Sequence, residues 1–227
     1  MLYMAKIAVA LDYDGVLVDS YRGIPLFYLE DFPALTGMTI DYARQLLYLE
    51  YLTESLSVLR EDLWPRYIPG FSSSLFDELI TRYWEKRIEY SRSLPGVKPV
   101  LNTLKSQVDL YHVGHRDDIY GLKTHRIYID GFTDYFKYIY VVEENTESRL
   151  KALMEILETH DLVIYVDDKP VNLAVIEQGL KDLREHVVLV RQVFKSLYDT
   201  PWIDPVEKYI AINNLSELSR LIRRLRQ

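Results

Sequence analysis

Two aspartates separated by a single residue stand near the start of the chain. Asp12 and Asp14 follow "KIAVAL" at 6–11, an apolar run that is typical of a buried strand. Two like charges this close repel each other, so a bound cation or a proton shared with a substrate is the usual reason to keep them together. This pair is therefore the first candidate for a catalytic or metal-binding site.

A second acidic pair occurs in the same context far along the chain. Asp167 and Asp168 directly follow "LVIYV" at 162–166, another apolar run of strand length. The ligand crevice of a parallel sheet lies beyond the carboxyl ends of its strands, so the two pairs converge if these strands are neighbours. A cluster of carboxylate oxygens favours a hard cation, and we expect Mg²⁺.

Magnesium and carboxylates together point to phosphoryl chemistry. Mg²⁺ is usually bound by one or two carboxylates, by water and by a phosphate oxygen. One carboxylate can then attack phosphorus to form an aspartyl phosphate, while a neighbouring acid handles protons. Acids at strand ends are also often solvated or cap a helix, and this is the alternative for either pair alone. Two pairs at equivalent positions favour a functional site.

Composition limits the class of protein and its partners. The 227 residues allow one large domain or a domain with a smaller insert, and 48% hydrophobic with 27% charged residues is typical of a soluble globular protein. With no cysteine, disulfides and thiolate sites are excluded. A net charge of −7 argues against a general nucleic-acid binder, and no apolar run approaches the ~20 residues of a membrane span. We expect a cytoplasmic protein without nucleic-acid or membrane partners; the oligomeric state stays open.

Strand and helix patterns alternate from residue 94 onward, which predicts an α/β fold with a Rossmann-like, doubly wound parallel sheet. The predicted strands are 6–11, 108–113, 138–142, 162–166, 187–190 and 209–212.

Residues 21–93 interrupt this alternation. They contain no convincing strand, and two stretches, 39–62 and 72–94, have the composition of helices. The sequence therefore predicts a core domain formed by residues 1–20 and 94–227, with a helical insert from 21 to 93.

Four segments resemble a known family. "DYDGVLVDS" at 12–20 resembles the first motif of the haloacid dehalogenase superfamily, and "VIYVDDKPVN" at 163–172 is similar to its fourth motif. "LPGVKPVLNTL" at 94–104 resembles the segment where the chain of that family re-enters the core after a helical cap, and "GFTDYFKYIYV" at 131–141 resembles its link from helix to strand. The resemblance covers essentially the whole chain and is weakest in the insert.

The resemblance implies a role for each matching acid. Asp12 would be the nucleophile and a Mg²⁺ ligand. Asp14 would give its backbone carbonyl to the metal, and its side chain would protonate the leaving group and then activate water. Asp168 would be the main metal ligand of the fourth motif, and Asp167 would bind the metal directly or through water. Asn172 would support these ligands without binding the metal itself.

Asp14 also distinguishes between branches of that family. Metal-free dehalogenases and phosphonate-cleaving members lack an acid there, and the latter use a cap lysine as a Schiff base. Lys86 is the only lysine in the insert, and its context "YWEKRIEY" predicts a solvated helix face. The resemblance therefore implies a phosphatase acting on a small phosphorylated metabolite. A phosphomutase or a dehalogenase is the alternative within the same superfamily.

The second motif of the family departs from its pattern here. The family ends a strand with Ser or Thr, whose hydroxyl binds phosphate, whereas this chain has Gly114. Backbone N–H groups of Gly114 and His115 could hold a phosphate oxygen instead. The side chain of His115 or Arg116 is a further candidate donor. Alternatively, His115 pairs with Asp117 or Asp118 in the loop.

The third motif, a cation near the start of a helix, has two candidates. The family uses lysine, which favours Lys151, whereas spacing from Phe136 favours Arg149. A solvated surface charge is the alternative for each. Because two motifs depart from the pattern, we keep a second hypothesis: a non-catalytic or weakly active module of this fold that binds a phosphorylated ligand or a protein partner.

Overall fold

The computed structural model of the protein describes residues 5–54, 58–193 and 208–227. These residues divide into two compact units. The sheet unit contains residues 5–18, 93–193 and 208–227, and the helical unit contains residues 19–54 and 58–92. The prediction of core and cap domains with boundaries at 20/21 and 93/94 stays a prediction.

Eight strands and ten α-helices are found in the described residues. The strands are β1 (Ile7–Leu11), β2 (Val18–Asp19), β3 (Arg92–Ser93), β4 (Asp109–His115), β5 (Tyr138–Val142), β6 (Leu162–Asp167), β7 (Val187–Gln192) and β8 (Ile210–Ile212). The helices are α1 (Gly23–Leu26), α2 (Phe32–Thr36), α3 (Ile40–Glu54), α4 (Arg60–Tyr67), α5 (Ser73–Tyr90), α6 (Val97–Lys105), α7 (Leu122–Ile129), α8 (Arg149–Leu157), α9 (Pro170–Leu180) and α10 (Leu218–Leu225). No described helix is both long and apolar enough to cross a bilayer.

The sheet unit is built on one parallel sheet of six strands in the order β5-β4-β1-β6-β7-β8. All six predicted strands are present, and the prediction of a doubly wound α/β fold is confirmed. The first strand lies in the middle of the sheet, between β4 and β6. The chain segments that follow these three strands therefore leave the sheet side by side at one edge.

The central strand β1 is buried on both faces, as its continuous apolar sequence predicts. Val9 and Leu11 join one hydrophobic core with residues of α6 and α10. Ala8 and Ala10 join a second core with residues of α8 and α9. Packing on both faces fixes the position of the strand, and with it the position of the residues that follow its end.

The helical unit differs from the prediction of one helix over 39–62. α3 ends at Glu54 and α4 begins at Arg60, because Leu59 has an extended backbone. Leucines recur at helical spacing on both sides of this break, so the hydrophobic pattern alone did not indicate it. The second predicted helix, over 72–94, is present as α5, and the Ser72 side chain accepts the hydrogen bond that caps it.

Candidate active site

An acidic cluster lies where β1 and β6 end, at the edge that the sequence predicts. Asp12 follows β1 and donates its N–H to the carbonyl of Val166 at 2.9 Å. Asp167 ends β6 and Asp168 follows it. Carboxylate oxygens of Asp12, Asp167 and Asp168 all lie within 4.8 Å of one another, and all three residues are buried. We call these three residues the acidic cluster. Oxygen donors at this spacing fit a hard divalent cation such as Mg²⁺.

The electrostatics of Asp12 point in the same direction. Burial, followed by the nearby charge of Asp167, raises its pKa from 3.8 to about 7, against the opposing effect of Lys123 and Arg149. The charged form that a nucleophile needs is therefore disfavoured until more positive charge arrives. A divalent cation held by the acidic cluster would supply it.

Gly15 allows the chain to pass directly over Asp168. Its φ is +75°, and a Cβ at this position would collide with the Asp168 carboxylate. Only glycine combines this backbone conformation with such a close approach. Gln192 at the end of β7 stabilises the turn by donating to the carbonyls of Gly15 at 3.3 Å and Val16 at 3.1 Å.

Asp167 is held in place by several donors. It accepts hydrogen bonds from the Tyr165 hydroxyl at 2.6 Å and from the Lys169 N–H at 2.8 Å. The Asn172 side-chain amide donates to both of its oxygens, at 3.1 and 3.0 Å. This arrangement suits a carboxylate that orients its neighbours, and it gives Asn172 the supporting contact that the sequence indicated.

Of the two predicted third-motif cations, the structure brings Arg149 to the acids. Its Nε lies 3.9 Å from Asp167 Oδ2, and its side chain is 19% exposed. Lys151 is half exposed, and its ammonium faces Glu155 at 3.9 Å on the next turn of α8. Residues two positions apart lie about 200° apart around a helix, so only one of them can face the sheet edge. The geometry therefore favours Arg149 over Lys151, and the catalytic role of this cation stays a prediction.

The sequence analysis missed a charged network around Asp14, formed by Asp14, Asp117, Lys123 and Arg126. Lys123 Nζ contacts the Asp14 carboxylate and lies 2.9 Å from Asp117. The Arg126 guanidinium donates to Asp14 at 2.5 Å and to Asp117 at 3.0 Å. Lys123 and Arg126 stand one turn apart on α7, and this i,i+3 spacing in "LKTHRIYI" is the only signal the sequence carried.

Burial lowers the pKa of Lys123, but Asp117 and Asp14 outweigh this and hold it above its usual value. Lys123 is therefore a charged ammonium inside the sheet unit. Two cations also stabilise the negative charge of Asp14, so its carboxylate has a fixed place between them.

The structure leaves no room at position 114 for the Ser or Thr side chain that the second motif would have there. A Cβ there would collide with Asp12 Oδ1 and would lie 2.8 Å from Cε1 of His112. His112 is fully buried, and its Nδ1 donates to the Leu11 carbonyl at 3.0 Å. Burial lowers its pKa to about 3, so the ring is neutral. The imidazole thus fills the space beside Asp12 that a serine or threonine would need.

The two ring nitrogens of His115 contact groups other than Asp12. Its Nε2 lies 3.2 Å from Glu143, and its Nδ1 lies 3.2 Å from the carbonyl of Arg116. The alternative pairing with Asp117 or Asp118 is replaced by this contact with Glu143. The phosphate-binding role of the His115 side chain has no support in this geometry, whereas the backbone at Gly114 lies directly against Asp12.

One prediction about the helical unit is wrong. Lys86 is buried rather than solvated, and its ammonium lies 2.8 Å from Glu30 and 3.3 Å from Asp31. The hydrogen bond with Glu30 is the main cause that raises the pKa of Lys86. The acids stand on a π-helical turn, Phe27–Asp31, that the sequence pattern did not reveal.

No protein-family model matches the sequence, and no curated protein matches it. Solved structures of similar architecture do. A haloacid dehalogenase-like family hydrolase of Streptococcus pneumoniae is 19% identical over 95% of this chain and 98% of its own, with a TM-score of 0.61. A HAD-superfamily hydrolase of Geobacter sulfurreducens is 16% identical over 96% and 97%, with a TM-score of 0.64.

A third similar structure is that of a HAD-hydrolase from Bacillus subtilis with bound magnesium. It is 16% identical over 97% of this chain and 100% of its own, with a TM-score of 0.63. At these identities the likeness concerns the fold, and it agrees with the resemblance of the sequence motifs. The chain therefore has the fold of the haloacid dehalogenase-like hydrolases, with an acidic cluster at the carboxyl edge of its sheet.

Proposed function

We propose that the protein is a Mg²⁺-dependent phosphatase that hydrolyses a small phosphorylated metabolite through an aspartyl phosphate on Asp12. The observation that carries this proposal is the acidic cluster, three buried carboxylates with oxygens within 4.8 Å. Burying like charges together is costly unless a cation is bound. Bound Mg²⁺ would neutralise these carboxylates and withdraw charge from the phosphate oxygens.

The formal charges of the site support a divalent ion. Five buried carboxylates face three cations, an excess of two negative charges among the groups named here. The acids are Asp12, Asp14, Asp117, Asp167 and Asp168, and the cations are Lys123, Arg126 and Arg149. An excess of two is the charge that one divalent cation balances.

The reaction proceeds in two displacements. A carboxylate oxygen of Asp12 attacks phosphorus, the bond from phosphorus to the leaving-group oxygen breaks, and that oxygen takes up a proton. Water then attacks the aspartyl phosphate, which releases inorganic phosphate and restores the Asp12 carboxylate. We assign the proton transfers to Asp14, two positions after the nucleophile: once its carboxylate has taken up a proton, it gives that proton to the leaving-group oxygen and then accepts the proton of the attacking water. We assign the stabilisation of the phosphate charge to Arg149.

The protonated state of Lys86 argues against the phosphonate-cleaving alternative. A Schiff base needs a neutral amine, and two acids hold the Lys86 ammonium in ion pairs. The non-catalytic alternative draws its support from Gly114, which leaves the site without the hydroxyl of the second motif. Turnover measurements separate it from the phosphatase.

The test is hydrolysis of a generic aryl phosphate, with Mg²⁺, with EDTA, and by an Asp12→Asn variant. We expect turnover with Mg²⁺, its loss on chelation and its recovery when Mg²⁺ is restored. D12N keeps the volume of the side chain but removes the nucleophile, so kcat falls by about 10³-fold or more. Asp109→Asn is the matched control, since Asp109 begins β4 at the opposite edge of the sheet and pairs with Lys137 there.

Three outcomes contradict the proposal in different ways. Turnover that survives both chelation and D12N excludes the nucleophile and the metal. A protein that hydrolyses no phosphate ester but binds inorganic phosphate is the non-catalytic module. Cleavage of a haloacid without metal supports the dehalogenase alternative.

A further inference from the structure

The charged network is a buried feature of the sheet unit that the two displacements leave largely unused. Each of its cations contacts both of its acids. All four residues are less than a tenth exposed, and their formal charges cancel. Two of its members stand on α7, one follows β1 and one follows β4, so the network joins three separate segments beside the acidic cluster.

Stability alone is a poor explanation for this network. Taking charges out of water is costly, and apolar side chains of similar volume often stabilise a core as well or better. The location offers a better explanation. Asp14 stands two positions after the proposed nucleophile, and the charges of Lys123 and Asp12 act on each other.

We propose that Lys123 is a positioning residue of the phosphatase reaction, which fixes the Asp14 carboxylate and adds a positive charge beside Asp12. Asp117 holds Lys123 directly, and Arg126 holds the two acids that Lys123 contacts. A fixed charge at the edge where a phosphoryl group gathers negative charge lowers the barrier without reorganising during the reaction. This inference rests on the proposed function.

A double variant separates positioning from structural support. Lys123→Met alone leaves an uncompensated buried acid and is expected to lower the melting temperature. K123M/D117N removes one charge of each sign and restores the balance. We expect it to melt within about 3 °C of the wild type, while its kcat for the aryl phosphate stays about 100-fold lower with a nearly unchanged KM.

The control is Lys137→Met, which removes a lysine from an ion pair with Asp109 outside the site. It should leave kcat unchanged. A K123M/D117N enzyme whose kcat recovers together with its melting temperature would show that Lys123 has a structural role only, and would overturn the inference.

Lys123→Arg decides the matter if the double variant does not fold. Arginine keeps the charge but presents it from a planar group of different shape. We expect a melting temperature near that of the wild type and a kcat about tenfold lower, because displacements of about 1 Å cost this much or more at a reacting site. A K123R enzyme as fast as the wild type would contradict positioning.

Calorimetric titration with Mg²⁺ alone gives a readout without turnover. Removing a positive charge beside the acidic cluster should tighten Mg²⁺ binding by K123M about threefold or more, while K123M/D117N binds like the wild type. Unchanged or weaker binding by folded K123M would contradict an effect of this charge at Asp12. If the wild type hydrolyses no phosphate ester, the proposed function fails; if the wild type is active and the variants match it, only the present inference fails.

Discussion

Two buried polar clusters, one in each unit, solve the problem of a buried carboxylate in opposite ways. In the helical unit, Glu50 accepts hydrogen bonds from the hydroxyls of Tyr28 and Tyr83 and from Arg60 at 3.2 Å. We call these four residues the Glu50 cluster. Glu50 there lies against the guanidinium of Arg60, the phenols supply further donors, and Arg87 donates to the Tyr83 hydroxyl at 3.2 Å. In the sheet unit, the acidic cluster brings together three carboxylates, and acids exceed cations.

This comparison distinguishes charged residues that stabilise the fold through contacts within the protein from charged residues that are suited to binding a ligand. The Glu50 cluster is surrounded by aromatic rings, and Arg60 also lies 4.5 Å from the centroid of the Tyr83 ring. Its four members all belong to the helical unit, so Glu50 receives these donors from its own part of the chain. The acidic cluster satisfies Asp167 with donors but leaves the pKa of Asp12 raised to about 7. An arrangement that opposes its own ionisation is typical of a functional site.

The largest effect is expected where the balanced cluster is broken. Glu50→Ala leaves Arg60 buried with its carboxylate partner removed, and this should lower the free energy of unfolding by about 3–5 kcal/mol. Urea unfolding measures it. Glu78→Ala, on the exposed face of α5, is the control and should change stability by less than about 0.5 kcal/mol. An E50A protein as stable as E78A would mean that the Glu50 cluster does not hold its unit together.

A smaller effect is expected from titrating the unbalanced cluster. The pKa of Asp12 is about 7 in the folded protein and near 3.8 in the unfolded chain, so the folded protein binds this proton more tightly. The resulting stability is complete below the unfolded pKa and is lost as pH rises through the folded one. Asp12 alone should therefore contribute a loss on the order of 2 kcal/mol in the metal-free protein between about pH 5 and about pH 8. Buried His112, whose pKa is lowered from 6.5 to about 3, contributes in the opposite direction as pH rises toward 6.5.

Thermal unfolding at several pH values, with EDTA and with saturating Mg²⁺, tests this expectation. D12N should lack the loss caused by Asp12, because asparagine does not titrate, so the difference in stability between wild type and D12N isolates the contribution of Asp12 from that of His112. Mg²⁺ should stabilise the protein most at high pH, where it competes with fewer protons. A wild-type stability that does not fall relative to that of D12N from acidic to neutral pH would contradict the raised pKa of Asp12.

The parts of the molecule that the sequence revealed depend on local patterns. The strands are short apolar runs. Asp12, Asp14, Asp167 and Asp168 could be placed because each stands within three residues of the end of such a run. A parallel sheet then brings strand ends together whatever the intervening chain does. Strand position alone was therefore enough to predict the acidic cluster.

The parts that the sequence concealed depend on partners distant in the chain. Lys123 contacts Asp14 across 109 residues, and Lys86 contacts Glu30 across 56. A lysine between polar neighbours on a helix looks solvated unless its partner is known. The choice between Arg149 and Lys151 stayed open for a related reason, since both lie off the apolar stripe and only the packing of α8 decides which one faces Asp167.

The smallest expected effect concerns how tightly the acidic region is packed. Gly114→Ser adds a Cβ where Asp12 Oδ1 and the His112 ring already lie, and the crowding should cost about 1–3 kcal/mol of stability. His112→Ala empties part of that space. In the H112A background the same serine should therefore cost about 1 kcal/mol less than in the wild type, a coupling that a double-mutant cycle in urea measures.

Measuring kcat for the same variants tests the steric explanation for Gly114. If His112 stands in the space of the missing hydroxyl, H112A/G114S should be more active than G114S alone, because removing the imidazole leaves the serine and Asp12 room to move apart. Additive stabilities together with equal activities of the two variants would mean that Gly114 and His112 are not coupled. The departure from the second motif would then lack a steric cause, and the case for a non-catalytic module would gain strength, because the site would have lost its hydroxyl without anything taking its place.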